Sequence, residues 1–226
     1  MIKTTFLTFI SLLTASVLQA AEPIQLFNGN DIEGWTKKGG NATYEVIDGV
    51  IIGTTAKDNS PNTFLCPPNK YGNFELTFEV NCDTDLNSGV QVRSQDNPSD
   101  LPDSLDEKSK KKAIGRTKSG SLCGPQVEIA AKPKAGSVYF EGVGGWILLS
   151  DEKLALKSYK KDAWNSYKVR AVDSNIQVWI NGEKVTDGED TMSGFKEGYI
   201  GLQVHRIKPG TGPFQVRFRN ITITEL

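Results

Sequence analysis

Gly198-Tyr199-Ile200-Gly201-Leu202-Gln203-Val204-His205 holds the only histidine of the chain, and its alternation decides which fold is being read. Successive side chains of a strand point to opposite faces, so Ile200, Leu202 and Val204 share one side while Tyr199, Gln203 and His205 share the other. The first side reads as core and the second as a polar face. Three further segments repeat the split: Val90 and Val92 against Gln91 and Arg93, Val127 and Ile129 against Gln126 and Glu128, Val138 and Phe140 against Tyr139 and Glu141. A half-buried antiparallel strand with a merely solvated outer side gives the same alternation. The residue types point further, because Gln, Arg, Glu, Tyr and His recur where Lys, Ser and Thr would suffice for solubility. The polar stripes are therefore expected to line one concave surface.

Outward from this stretch, nearly the whole chain after Ile24 consists of short alternating segments punctuated by Gly, Asn, Asp and Pro. Phe74-Glu-Leu-Thr-Phe-Glu-Val80 places Phe74, Leu76, Phe78 and Val80 inward. Tyr44 to Ile52 reads as a hairpin, since Asp48-Gly49 supplies the positive φ angles that a two-residue turn requires. Trp164 to Val172, Ile176 to Ile180 and Glu183 to Val185 continue as a meander turning at Asp173-Ser174-Asn175 and Asn181-Gly182. In the last strand Phe214, Val216 and Phe218 have one parity, and Ile221 and Ile223 the other, which predicts a bulge near Arg219-Asn220. More than ten short strands with almost no helical period imply two antiparallel sheets packed face to face, or a closed barrel. Between Ser94 and Gly124 the alternation stops, and a long loop is expected there, either solvated or covering the polar surface.

The 226 residues carry 26 basic and 27 acidic side chains, a net charge of -1, so no charge excess points to nucleic acid or an anionic membrane. Lys3 precedes an apolar run from Phe6 to Leu18 that ends in Gln19-Ala20-Ala21, the order of a secretory signal peptide. Cleavage is expected after Ala20, leaving 21–226 as one exported domain, periplasmic or secreted, with no membrane span in the mature chain. Cys66, Cys82 and Cys123 lack the close spacing of a zinc site. One disulfide with a free thiol, or three buried thiols, both fit.

Several motifs in fixed order carry a resemblance: Leu26-Phe-Asn-Gly-Asn-Asp-Ile-Glu-Gly-Trp35, Tyr71-Gly-Asn-Phe-Glu-Leu76, Asn87-Ser-Gly-Val-Gln-Val-Arg93, Gly124-Pro-Gln-Val-Glu-Ile129, Trp164-Asn-Ser-Tyr167, Asn181-Gly182, Gly198 to His205 and Phe218-Arg-Asn-Ile221. Together they resemble the 3-keto-disaccharide hydrolase family over essentially all of Ile24 to Leu226. The resemblance implies a concanavalin A-like jelly-roll β-sandwich of two antiparallel sheets. It also implies an exported protein that acts on glycosides oxidised to a ketone at carbon 3 of the sugar. The Ser94 to Gly124 insert sits where the family varies.

A ketone at carbon 3 acidifies the hydrogen on carbon 2, because the resulting carbanion is delocalised as an enolate. A general base can remove that proton, the enolate expels the group on carbon 1, and water adds to the product. The route needs a base, a donor near the ketone oxygen and an acid for the leaving group. Glu128 is the candidate base, with a structural ion pair to Arg93 as the plainer alternative. Arg93 is the candidate cation for the enolate, and His205 the candidate acid or base. Gln91, Gln126, Tyr139, Glu141 and Gln203 are expected to hydrogen-bond sugar hydroxyls, and Trp146 to stack on a sugar face. Glycine in Asn87-Ser88-Gly89 permits a close approach to the backbone. No cofactor and no metal are expected, since one histidine among scattered carboxylates is weak evidence; a cluster of Glu128, Glu141 and His205 could hold a divalent ion only if their strands are neighbours. Two rivals remain: a non-catalytic carbohydrate-binding module on the same sandwich, and a retaining glycosidase using Glu128 and Glu141 as its carboxylate pair.

Overall fold

A computed structural model describes residues 21–226; the expected signal peptide, 1–20, lies outside them. Two eight-stranded sheets account for the strands. The first runs in the order Glu183–Glu189, Asn175–Ile180, Asn165–Val172, Phe74–Cys82, Gln215–Glu225, Val50–Thr54, Thr43–Ile47, with Ile24–Gln25 added beside Gln215–Glu225. The second runs Trp146–Leu148, Val138–Glu141, Gly124–Ile129, Ser88–Ser94, Gly198–Val204, Thr63–Cys66, Thr36–Gly39, with Lys70–Tyr71 beside Gly198–Val204. Every pairing is antiparallel. The architecture is an all-β sandwich of two antiparallel sheets, one of the two arrangements that the alternation left open and the jelly roll that the resemblance implied.

The core is made by inward residues of one parity from each sheet. Phe74, Leu76, Phe78 and Val80 meet Val90, Val127, Ile129, Val138, Leu202 and Val204 in one buried cluster. Phe78 stacks on Tyr167 at 5.3 Å between ring centroids. The Thr43–Ile47 and Val50–Thr54 hairpin turns on Asp48 and Gly49, both at positive φ. The final strand bulges as its parity change demands: the pairing with Phe74–Cys82 shifts between Arg219 and Thr222, and Asn220 takes φ 51°. Phe218, Ile221 and Ile223 are consequently all buried.

The segment between Ser94 and Gly124 differs from the loop expected of it. Its ends are joined by reciprocal backbone hydrogen bonds of 2.9 Å between Gln95 and Cys123, and it carries a helix over Glu107–Lys118. Asp106 caps that helix by accepting from the Lys108 and Ser109 amides at 3.0 Å each. The run of lysines hides the helical period, because only Ala113 and Thr117 are buried on its inner side. A second short helix spans Glu152–Ser158. Cys66, Cys82 and Cys123 are all free and buried, and burial pushes each thiol up to about 12. Among the described residues no helix is long and apolar enough to cross a membrane.

Candidate active site

The outer side of the second sheet holds a cleft of about 230 Å³ lined by Asn87, Gln126, Glu128, Tyr139, Glu141, Trp146 and His205. Register explains the gathering. Gln91 faces Gln126, Gly89 faces Glu128 and Tyr139 faces Gln126, so these positions share one side of three adjacent strands. His205 follows directly on the neighbouring strand Gly198–Val204. Tyr139 and Trp146 are paired across strands and pack edge to face at 5.2 Å, forming an aromatic wall with Trp146 37% exposed.

Glu128 lies at the floor, 8% exposed. One carboxylate oxygen accepts from Asn87 Nδ2 and the other from Gln126 Nε2 at 3.3 Å. Burial outweighs both donors and pushes its pKa up from 4.5 to about 7. Beneath it, Gln126 Oε1 accepts from Gln91 Nε2 at 2.9 Å and from Gln203 Nε2 at 2.6 Å. Two donors on the oxygen oblige the amide nitrogen to face the carboxylate. Gly89 makes the arrangement possible, because a Cβ there would stand 2.7 Å from Gln126 Cγ and Cδ. The glycine thus admits a side chain of the protein itself. Gln91 and Gln203 are fully buried, so they support the floor and do not face a ligand. The Gln203 Oε1 atom has no hydrogen-bond partner among the described residues.

His205 Nδ1 lies 2.7 Å from the Arg206 carbonyl. A carbonyl only accepts, so Nδ1 carries the proton and Nε2 of the neutral ring holds the free lone pair. Burial lowers the pKa of this histidine below its ordinary 6.5, which keeps the ring neutral at pH 7. Glu141 is held differently: its Oε1 accepts from Arg116 Nη2 at 2.5 Å and from Asn62 Nδ2 at 3.3 Å. Asn62, Asn87 and Arg116 escaped the reading of the sequence as side chains of the site. Asn87 stood in a motif read only for its backbone, and the other two come from segments without alternation.

Arg93 does not join the cleft. Tyr199 pairs with Ser94 and Gly201 with Gln91, which leaves Val92 and Arg93 opposite the single residue Ile200. Arg93 is the extra residue of this bulge, at φ 50°, and the parity assumed for it fails there. Its guanidinium donates instead to Gly72 O at 2.7 Å, Asp173 O at 2.5 Å and Asn73 Oδ1 at 3.0 Å. It therefore ties a turn of the first sheet to the end of the second. No ion pair joins Glu128 and Arg93. Among the described residues no group of three or more His, Cys, Asp or Glu side chains stands close enough to hold a metal.

The model of the 3-keto-α-glucoside-1,2-lyase-like domain matches residues 22–224. The chain belongs to this family. Its members form the 3-keto-disaccharide hydrolase group, which makes this a carbohydrate-related domain. No curated protein matches the chain. Among solved structures, a candidate glycosyl hydrolase from Parabacteroides distasonis superposes with a TM-score of 0.59 at 20% identity, covering 90% of this chain and 94% of that one. A carbohydrate-binding module from Bacillus subtilis gives 0.57 at 16% identity, covering 85% and 96%. A Bacillus subtilis protein of unknown function with a galectin-like fold gives 0.62 at 12% identity, covering 92% and 96%. At these identities the likeness is one of fold, and the chemistry has to be argued from the cleft.

Proposed function

We propose that the cleft binds a glycoside carrying a ketone at carbon 3 and breaks its carbon 1 to oxygen bond by elimination. The observation that carries this reading is Glu128, a buried carboxylate with a pKa raised to about 7 in the cleft of a chain of this family. A base poised near neutrality combines a sizeable ionised fraction with useful basicity, which is what proton abstraction next to a ketone requires.

The steps follow from the residues present. Glu128 takes the proton from carbon 2, and the electrons of that C–H bond become the enolate of the ketone. When the enolate collapses, the ketone re-forms, a double bond forms between carbons 1 and 2, and the leaving oxygen departs with the electrons of its bond to carbon 1. That oxygen takes a proton from the newly protonated Glu128 or from water. Addition of water to the double bond gives net hydrolysis. Arg93 is too far engaged elsewhere to serve the enolate, so the donors on hand are the Tyr139 hydroxyl and the second amide hydrogen of Asn87. Neutral His205 offers Nε2 as an acceptor for a sugar hydroxyl. Trp146 and Tyr139 offer aromatic faces for the apolar side of the ring. Glu141, paired with Arg116, is an anchor of the cleft wall, which disfavours a retaining glycosidase pair. An exported location is part of the proposal on the strength of the leader pattern in residues 1–20.

The test is to incubate the mature protein with matched 3-keto and unoxidised nitrophenyl glycosides. Aglycone release from the oxidised series alone, with kcat/KM rising tenfold per pH unit toward a plateau just above 7, is the expected result. Equal cleavage of both series would overturn the elimination route. Saturable binding with no turnover would make the domain a binding module.

A further inference from the structure

The outer side of the second sheet has two halves, and only one of them is the cleft. On the other half Phe64 and Cys66 are fully buried although they lie on the outer side, because Leu122 of the Ser94–Gly124 insert covers them. Gly201 gives Leu122 its place: a Cβ there would stand 2.8 Å from Leu122 Cδ1. The insert is stitched across to the far edge strand, where the Gly39 amide donates to Gly120 O at 2.9 Å and Lys38 pairs with Asp96 at 2.6 Å.

Arg116 marks the border between the halves. Its Nη2 holds Glu141 Oε1, its Nε donates to Leu122 O at 3.2 Å, and its guanidinium lies 5.9 Å from the Phe64 ring centroid. Glu141 thus lines the cleft while its carboxylate is tied to the insert. An open groove across the whole sheet would let a glycan chain continue past the reacting ring. Here the next ring beyond Glu141 would have to lift Leu122 off Phe64 and Cys66.

We propose that the insert makes the cleft blind at one end, so that it accepts the terminal residue of a glycan or a short glycoside and excludes a residue within a longer chain, with Arg116 setting that specificity. This rests on the carbohydrate reading above and extends it to the shape of the substrate.

The experiment uses gluco-oligosaccharides of two to six rings, oxidised at carbon 3 of either the terminal or an internal ring. The full mature protein is expected to cleave the terminally oxidised series at least a hundredfold faster than the internal one. Arg116→Ala is expected to narrow that ratio at least tenfold. Similar rates on both series, or an unchanged ratio in Arg116→Ala, would overturn the proposal. The unoxidised oligosaccharides are titrated in parallel by NMR, independently of turnover. Shifts confined to Tyr139, Trp146 and His205 support a blind cleft even where no member is cleaved, which would defeat the elimination reading alone. Shifts reaching Leu122 and Tyr199 overturn the blind end, and a series that neither reacts nor shifts any signal overturns both ideas.

Discussion

Glu128→Gln is expected to make the protein more stable, and only above a definable pH. The Glu128 pKa rises from 4.5 to about 7 on folding because the carboxylate is withdrawn from water. Between these values the folded protein binds more protons than the unfolded chain, so stability falls as pH rises through the window and is lower by a constant amount above it. A displacement of this size corresponds to about 3 kcal/mol, at ~1.4 kcal/mol per pH unit. Glutamine has no proton to lose. Its oxygen can keep the Gln126 Nε2 donor, and its nitrogen can donate to Asn87 once that half-buried amide turns over. The variant and the parent are therefore compared by urea denaturation at pH 4 and at pH 8.5, where every other titrating group cancels in the difference. The expected outcome is a stability difference that grows by about 3 kcal/mol from the lower to the higher pH, or roughly 6–12 °C in Tm at pH 8.5 for a domain of this size. A difference that stays constant with pH would refute the burial argument. Loss of turnover in the same variant would show a site that gives up stability for a usable base.

Three more outcomes follow from individual contacts. Gly89→Ala places a methyl 2.7 Å from Gln126 and should displace its amide, raising the Glu128 pKa by about one unit as the donor is lost, read from the carboxyl carbon by NMR; an unmoved titration would contradict the packing. Arg93→Met strands the Gly72 and Asp173 carbonyls and should cost about 1–3 kcal/mol for each in urea while leaving the Glu128 titration in place; a shift of that titration would return Arg93 to the site. Cys66, Cys82 and Cys123 should react with a thiol reagent only at the rate of unfolding, since each is buried and protonated at neutral pH, and three thiols should be counted in denaturant without reductant; a fast-reacting thiol in the native protein would refute this.

The sheets and the gathering of Glu128, Gln126, Tyr139, Glu141 and His205 were legible because each sits in a strand, or at its end, whose alternation the sequence shows, whereas Trp146 stood out only as an aromatic residue after Gly144-Gly145. Parity also exposed the bulge at Asn220, where apolar residues of both phases had to be buried. It misplaced Arg93 because the bulge there falls between Val92 and a polar residue, and a polar residue out of phase leaves no mark in a hydrophobic pattern. The available signal was Gly198, where a Cβ would stand 2.2 Å from the Arg93 carbonyl carbon, but a glycine at a strand start has many causes. Gln91 and Gln203 had the right side of the sheet and the wrong depth, since alternation says which face a side chain takes and nothing about what covers it. The Glu107–Lys118 helix was hidden for a related reason: it buries too little apolar surface to show a 3.6-residue period.

The depth of those glutamines has a consequence that can be measured. Gln91 is fully buried and never reaches the cleft, yet its Nε2 holds Gln126 Oε1, and its own Oε1 accepts from Ser94 Oγ at 2.5 Å. If the amide chain sets the donor that faces Glu128, then Gln91→Leu should loosen Gln126 and raise the Glu128 pKa by a few tenths of a unit or more, moving the rise of the activity profile to higher pH. The stability cost of losing a buried hydrogen bond, about 1–3 kcal/mol, would occur whether or not the chain acts on the carboxylate. Stability at one pH is therefore uninformative, and the double variant with Glu128→Gln decides. Coupling through Glu128 requires that the pH-dependent part of the Gln91→Leu effect vanish once residue 128 cannot ionise, whereas a purely structural glutamine would give the same pH dependence in both backgrounds.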